Sequence, residues 1–243
     1  MSSERHPLGR IYRAVRSNSE SVLAVLQRLR RAMFIARIRT LAAWHRTKID
    51  LRVARDVRIG RGVRVEMSPR VRMSVHFSSG CRVDDGVLLL LKGGSIECGP
   101  DVWLRRDVVL NVSGDLHLDS SNIMSWGTVL HCAESVRFER FASAAEGVTV
   151  SDSTHYYTTP DAWFYGNTRT APVTIGANTW LCPKATVTSG VHIGSHCILA
   201  SNSVAIADIP DGHLASGVPA KDLRRLQLPW NERDLADAMT HGG

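Results

Sequence analysis

The sequence predicts an all-β fold, a parallel β-helix of about seven three-sided coils, from the spacing of its apolar residues. Apolar residues recur at intervals of six over most of the 243 residues, and small or β-branched residues stand two positions before them. A step of six with an inward pair two residues apart makes a short strand and a turn, and three such units close one coil. The clearest run of rungs is Ile175, Leu181, Val187, Ile193, Leu199 and Ala205.

The same period extends towards the N-terminus. An earlier ladder consists of Ile59, Val65, Val71, Phe77, Val83 and Leu89. Between the two ladders lie three triplets with the same step: Cys98, Leu104 and Leu110; Leu118, Met124 and Leu130; Phe138, Ala144 and Val150. Each triplet starts 20 residues after the last, as three faces of six with a two-residue corner insertion require. The coils, stacked at about 4.8 Å, predict a prism roughly 34 Å long.

Residues 1–48 are predicted to form a basic helical segment before the β-helix. Residues 1–72 contain 18 lysines and arginines against 5 acidic residues, a net charge of +13, so the remaining chain carries −6 of the total of +7. Apolar residues keep near-helical spacing from Val22 to Leu41. Two interpretations stay open: a cap on the open first coil, or a basic surface that meets anionic lipid or a lipid-linked substrate. Nucleic acid is not expected, since no recognition motif accompanies the arginines.

The β-helix itself is predicted over residues 49–220, with one extruded loop. Val150 and Ile175 are 25 residues apart instead of six, which places a loop at residues 152–172. Long loops on rigid scaffolds are usually functional, and this one contains Tyr157, Trp163 and Tyr165. Residues 221–243 are predicted to be a C-terminal helical tail, with a short helix from Pro229 to Met239.

Several classes of protein and site are excluded by composition. The five cysteines are scattered without a Cys-x-x-Cys pair, so neither a disulfide framework nor a zinc framework is predicted, and no metal is expected. No apolar run approaches the roughly 20 residues of a spanning helix, and no signal peptide is recognisable. These features predict a cytoplasmic protein.

Residues 171–226 contain a series of motifs: PVTIGANTW at 172–180, GVHIG at 190–194, DIP at 208–210 and GVPAK at 217–221. Together with DSTH at 152–155 they resemble the C-terminal signature of the maltose, galactoside and polysaccharide O-acetyltransferases, members of the hexapeptide-repeat superfamily. The resemblance covers about residues 96–226. It implies a left-handed β-helix and a homotrimer with active sites between neighbouring prisms. It also implies acetyl-CoA or another acyl-CoA as co-substrate, with no permanently bound cofactor.

The resemblance also assigns roles to residues by position. His155 falls on the family's catalytic base. Six residues fall where the family contacts CoA: Cys182, Pro183, Ser201, Ile206, Ala207 and Lys221. This sequence departs from the family pattern at Cys182–Pro183, where glycine or alanine is usual. It departs again at Ile206–Ala207, where many members have Thr–Lys.

The residues themselves suggest the chemistry of acyl transfer. Imidazole, with a pKa near 6.5, is suited to remove the proton of an attacking hydroxyl, which favours His155 as general base. The 20-residue register puts Glu134 beside Thr154 and makes it the candidate for orienting that imidazole. Lys221 and Arg224 form a basic cluster suited to CoA phosphates, and Trp180 is either prism packing or a wall of the donor channel. The acceptor-binding candidates on the loop are Asp152, Tyr157, Trp163 and Tyr165.

The sequence therefore predicts an O-acyltransferase acting on a sugar, polysaccharide precursor or glycolipid. N-acylation of an amino sugar and a non-catalytic scaffold remain alternatives. A zinc carbonic anhydrase on the same prism needs three converging histidines, and the histidines here fit no such set. Direct transfer is favoured over an acyl-enzyme, because nothing in the sequence indicates an activated Cys182 thiol.

Overall fold

Three parallel sheets form the body of the protein. The computed structural model describes residues 7–159, 161 and 167–226, with the side chains of residues 7–21 and 222 left aside. The chain begins with one helix, α1 (Pro7–Trp44). Sheet A contains β1 (Lys48–Val53), β4 (Arg72–Phe77), β7 (Gly94–Cys98), β10 (Asp115–Leu118), β13 (Ser135–Phe138), β18 (Val173–Ile175) and β21 (His192–Ile193).

The other two faces repeat the same order. Sheet B contains β2 (Arg58–Ile59), β5 (Arg82–Val83), β8 (Trp103–Leu104), β11 (Ile123–Met124), β14 (Ser143–Ala144), β19 (Trp180–Leu181) and β22 (Ile198–Leu199), and then β24 (His213–Gly217) and β25 (Ala220–Arg225). Sheet C contains β3 (Arg64–Met67), β6 (Leu88–Leu91), β9 (Val109–Val112), β12 (Val129–Cys132), β15 (Thr149–Ser151), β20 (Thr186–Val187) and β23 (Val204–Ala205).

The predicted rungs fill the interior of the prism. Leu104, Leu110 and Leu118 are completely buried, and each stands in register with the equivalent residue of the next coil. Sheets A and C each supply seven successive parallel strands, one per coil, and sheet B adds an eighth parallel strand, β24, after the seventh coil. The fold is the left-handed parallel β-helix of seven coils that the sequence predicts.

One predicted rung is wrong. Val71 is only half-buried and lies in the corner before β4, whereas Val53 pairs in register with Phe77 and completes the first coil. The step from Val53 to Phe77 is 24 residues because β1 and β4 have six residues each, longer than the other strands of sheet A. A strict period of six therefore assigns an extra rung at Val71, although the rungs on either side of it stay in phase.

Helix α1 covers the open edge of the first coil. Phe34, Ile38 and Ala42, which share one face of the helix, are buried against the prism. The guanidinium group of Arg31 donates to the carbonyl oxygens of residues 53 and 54, at 2.6 and 2.7 Å. The side-chain oxygen of Gln27 accepts the backbone N–H of Ile59 at 3.2 Å. These contacts satisfy strand edges that would otherwise be unpaired, as the capping interpretation expects.

The C-terminal end differs from the predicted helical tail. Ala220–Arg225 form β25, which pairs antiparallel with β24 and extends the open edge of sheet B. The predicted helix from 229 to 239 lies outside the described residues, and the predicted domain boundaries stay predictions. Within the described part of the chain, no helix combines the length and apolar character needed to cross a membrane.

Candidate active site

An extruded hairpin leaves the prism at the corner between sheets C and A. The parallel pairing of β12 with β15 ends at His131 and Ser151. The chain then forms β16 (Ser153–His155), which pairs antiparallel with β17 (Thr168–Thr170) before the coil resumes at β18. The hairpin lies inside the loop predicted at residues 152–172.

Asp152 fixes the base of this hairpin from inside the prism. Its side chain is completely buried. Its carboxylate accepts the backbone N–H groups of Ala133 and Glu134 at 2.7 Å and of Ser135 at 2.8 Å. Its backbone carbonyl accepts the Ser189 hydroxyl at 2.8 Å. The prediction that Asp152 binds the acceptor needs correction, because its carboxylate is buried and saturated by backbone donors.

His155 stands at the end of β16, on the exposed part of the hairpin. It is paired in the strand register with Thr168, and its side chain is exposed. The next residue, Tyr156, has the Arg169 guanidinium 5.1 Å from its ring centre. Tyr157 is 66% exposed. Trp163 and Tyr165, the other predicted acceptor contacts, lie outside the described residues.

Glu134 lies below the hairpin, but not in the predicted register. The coil register ends at Ser151, and Thr154 pairs with Arg169 instead of facing Glu134. The reason is that Asp152 takes the place of the next corner and sends the chain outwards. The backbone of Glu134 is held by Asp152 and its side chain is exposed. Its role in orienting His155 stays a prediction.

A histidine outside the predicted set lies beside the hairpin. His131, on the outer face of sheet C, is half-buried, and its Nδ1 is 2.9 Å from the Asn111 side-chain nitrogen. Burial lowers the pKa of His131, and the positive charge of Lys92 lowers this pKa further. The negative charge of Asp152 acts in the opposite direction and raises it. The 20-residue register places His131 opposite Ser151, so the sequence contained a signal for this residue.

The predicted CoA contacts fall on both edges of sheet C. Cys182 and Pro183 lie at the corner between sheets B and C, and Ser201 lies at the same corner one coil later, where Asn202 N–H donates to the Pro183 carbonyl. Burial raises the pKa of the Cys182 thiol. Ile206, which is 58% exposed, and Ala207 follow β23 at the opposite edge of the sheet.

Three other predicted donor contacts belong to sheet B. Trp180 lies on its outer face and is 51% exposed, so it does not pack inside the prism. Lys221 and Arg224 are exposed on β25. In a single prism the predicted site residues therefore fall into two groups, one on each edge of sheet C, and His155 is not brought together with Cys182 and Ser201.

No metal centre is apparent in the described ranges. Among residues 7–159, 161 and 167–226, no group of three or more His, Cys, Asp or Glu side chains is placed to hold a metal ion.

Comparison with protein families finds one match. Residues 172–205 match the family described as bacterial transferase hexapeptide (six repeats). A probable acetyltransferase of Mycobacterium tuberculosis is 30% identical over 138 residues, which are 56% of this chain and 39% of that protein. The galactoside O-acetyltransferase of Escherichia coli is 24% identical over 145 residues, which are 60% of this chain and 69% of that enzyme.

A solved structure shares the fold. An N-acyltransferase variant from Bacillus cereus, in complex with dTDP-4-amino-4,6-dideoxyglucose and coenzyme A, superposes with a TM-score of 0.52 at 13% identity. The match covers 81% of this chain and 91% of that one. At this identity, the likeness establishes a common architecture.

Proposed function

We propose that this chain is an acyltransferase of the hexapeptide-repeat superfamily and that it transfers an acetyl group from acetyl-CoA to a hydroxyl of a sugar, polysaccharide precursor or glycolipid. The observation that carries the proposal is the hairpin that holds His155 outside a prism of this architecture. Asp152 fixes the hairpin's origin through three backbone hydrogen bonds, so the imidazole is presented from a rigid base.

The reaction needs one proton to move twice. His155 accepts the proton of the acceptor hydroxyl as its oxygen bonds to the thioester carbon. When the C–S bond breaks, the imidazolium returns the proton to the leaving CoA sulfur. Direct transfer is favoured over an acyl-enzyme, since burial raises the pKa of the Cys182 thiol and keeps it protonated. Glu134 is the proposed orienting carboxylate, and Tyr157, Trp163 and Tyr165 are the proposed acceptor contacts.

The donor is proposed to lie between two prisms. One side of CoA would be contacted by Trp180, Cys182, Pro183 and Ser201. The phosphates of CoA would be bound by Lys221 and Arg224. His155, Ile206 and Ala207 start from the opposite edge of sheet C. Because one flat face separates these edges, a site that uses both needs a second copy, and a closed homotrimer supplies three such sites.

We also propose a cytoplasmic location with peripheral membrane contact through α1. A lipid-linked acceptor would place the prism at the inner surface of a membrane. This proposal rests on the arginines and apolar residues of α1.

The test is the His155→Ala variant assayed with labelled acetyl-CoA and a panel of hydroxyl and amino sugars. Because His155 is exposed, we expect an unchanged thermal transition and turnover lower by at least about 10²-fold. His192→Ala, an exposed histidine on the outer face of sheet A, is the matched control and should retain turnover. Retention of turnover by His155→Ala within a factor of about three would contradict the assignment of the base. If only the amino sugars become labelled, the proposed O-acylation is wrong and the protein is an N-acyltransferase.

A further inference from the structure

A groove between α1 and the outer face of sheet B contains none of the residues proposed for acyl transfer. It encloses about 480 Å³, a volume typical of ligand sites. Arg30 comes from the helix, Arg58 and Arg82 from neighbouring strands of sheet B, and Arg106 and Trp126 from the corners that follow. Helix and prism thus supply opposite walls of one cleft.

The groove has an excess of positive charge. Five arginines line it against two aspartates, and both aspartates already have partners. Asp84 accepts the indole N–H of Trp103 at 2.9 Å. Asp85 accepts the backbone N–H of Arg61 at 2.6 Å and forms an ion pair with its guanidinium at 3.1 Å. Within the described residues, none of the five lining arginines forms an ion pair with a carboxylate.

Two tryptophan rings lie among these arginines. The Arg105 guanidinium is 5.1 Å from the Trp103 ring centre and 4.5 Å from that of Trp126. The Arg105 Nη1 donates to the Ser125 hydroxyl oxygen at 3.2 Å. Stacking uses the flat face of the guanidinium, so its remaining edge N–H groups are left for an anion. The Arg105 Nε is buried and has no hydrogen-bond partner in the part of the chain that the structure describes. Trp126 is 53% exposed, so a large apolar surface faces the groove's rim.

We propose that this groove binds an anionic saccharide, a sugar chain that carries carboxylate or phosphate groups. The C–H face of a sugar ring would pack on Trp126, and its anionic groups would accept hydrogen bonds from the arginines. Arg58 and Arg82 are register partners in adjacent coils, about 4.8 Å apart along the prism. Cations that repeat in this way suit an oligosaccharide with several anionic groups better than a single small ion.

The groove continues along the edge on which the donor residues lie. Backbone hydrogen bonds link the corners of successive coils along this edge. Gly147 N–H donates to the Trp126 carbonyl, and Lys184 N–H, next to Pro183, donates to the Glu146 carbonyl. Two coils, about 10 Å, therefore separate Trp126 from Pro183 along one edge. That this saccharide is also the acetyl acceptor rests on the proposed function. That the groove binds the saccharide does not depend on the proposed function.

Calorimetric titration of the full-length protein without acyl-CoA tests the proposal. The probes are tetragalacturonate, glucose 1-phosphate, neutral maltotetraose and a short oligothymidylate. We expect tetragalacturonate or glucose 1-phosphate to bind at least about tenfold more tightly than maltotetraose, and the better of the two identifies the anionic group. Failure of both anionic probes to bind, or tighter binding of oligothymidylate, overturns the proposal.

Variants locate the binding. Arg82→Gln combined with Arg106→Gln, and separately Trp126→Leu, should each weaken binding of the anionic probe by about tenfold or more. The control combines Arg72→Gln with Arg137→Gln, which removes the same charge from the outer face of sheet A and should leave the affinity unchanged. If the two double variants lose equal affinity for the anionic probe, the probe does not bind in the groove. Thermal unfolding establishes that every variant is folded.

Binding and catalysis fail separately in this design. His155→Ala should bind the anionic probe like the parent protein. If the protein transfers acyl groups but binds no saccharide in the groove, only the proposed saccharide site is wrong. If it binds the saccharide but transfers no acyl group, only the proposed function is wrong.

Discussion

Asp152 is the residue on which the geometry of the candidate site depends. Its carboxylate closes the corner of the preceding coil with three backbone hydrogen bonds, at the point where the next coil would otherwise turn. Three residues later the chain presents His155 to solvent. A buried carboxylate thus positions an exposed imidazole through the backbone of β16.

The first prediction concerns the charge of Asp152. Asp152→Asn keeps the size of the side chain but replaces one acceptor oxygen by an N–H donor that faces backbone donors. We expect the free energy of unfolding to fall by about 2–4 kcal/mol and turnover to fall with it, since the hairpin loses its anchor. Urea unfolding and the acyltransferase assay measure the two effects.

Asp208→Asn is the matched control for this variant. Asp208 is exposed and accepts a single backbone N–H, that of His192. Its substitution should change the free energy of unfolding by no more than about 0.5 kcal/mol. A loss for Asp152→Asn no larger than the loss for Asp208→Asn would contradict the anchoring role.

The residue types in the site could be predicted from sequence, but their partners could not. The run from Asp152 to His155 marks the loop, and the aromatic residues near it indicate a binding surface. The burial of Asp152 depends on backbone groups 17 to 19 residues earlier in the chain. Only the register of two coils brings those groups to the carboxylate, and the register itself changes at Ser151.

The strand β25 is the element that carries the proposed phosphate contacts. Lys221 pairs with Ser216 and Arg224 with Leu214, across the hairpin that ends sheet B. Both side chains are exposed on this added strand. An antiparallel strand at the end of the prism thus holds two cations beside the predicted donor edge.

We predict that the Lys221→Ala, Arg224→Ala double variant binds acetyl-CoA about tenfold or more weakly, while its affinity for dephospho-CoA stays nearly unchanged. The reason is that these cations would meet the 3′-phosphate, which dephospho-CoA lacks, and not the thioester. Calorimetric titration of both ligands measures the difference.

The control for this pair removes two cations from the opposite end of the prism. Lys48→Ala with Arg64→Ala changes β1 and β3, both in the first coil, and should leave acetyl-CoA binding intact. Equal losses for acetyl-CoA and dephospho-CoA in the β25 variant would move the cluster away from the 3′-phosphate.

At the level of elements, periodicity predicts the coils of the β-helix well but predicts its two ends poorly. The step of six gives the seven coils because each rung is buried by the coils above and below. β25 was not predicted, since its sequence AKDLRR lacks alternation of apolar and polar residues and its pairing follows from the free edge of β24. Strand formation there depends on a neighbour and not on a local pattern.

At the scale of the whole molecule, α1 has two apolar faces that point in opposite directions. One face, with Phe34, Ile38 and Ala42, is buried on the first coil. The opposite face exposes Val22, Val25, Leu26, Leu29 and Met33, of which Met33 is 70% exposed. Capping the prism therefore accounts for one face only, and the other has no partner among the described residues.

Arginines flank this exposed apolar face on both sides. Helical spacing puts Arg28 and Arg39 along one border and Arg30 and Arg37 along the other. An apolar stripe between two cationic rows is the pattern of a helix that lies in the interface of an anionic membrane. The negative charge lies farther from the helix, since the chain after residue 72, which contains all but the first coil of the prism, has a net charge of −6.

The final prediction follows from this division of the helix. Full-length protein should pellet with vesicles that contain anionic phosphatidylserine, and much less with neutral phosphatidylcholine vesicles. Each arginine near the surface contributes about 1 kcal/mol, and the attraction is screened over about 10 Å at 0.1 M salt. Binding should therefore decrease markedly as the salt concentration rises.

Substitution of the exposed face separates membrane contact from capping. Leu26→Ser, Leu29→Ser and Met33→Ser together should reduce vesicle binding and leave the thermal transition nearly unchanged, because all three side chains are exposed. Ile38→Ala, on the buried face, should do the reverse and lower the free energy of unfolding by about 2–5 kcal/mol. If full-length protein pellets with no vesicle at any salt concentration, the membrane proposal fails and α1 remains a cap, and a soluble acceptor then fits the molecule better than a lipid-linked one.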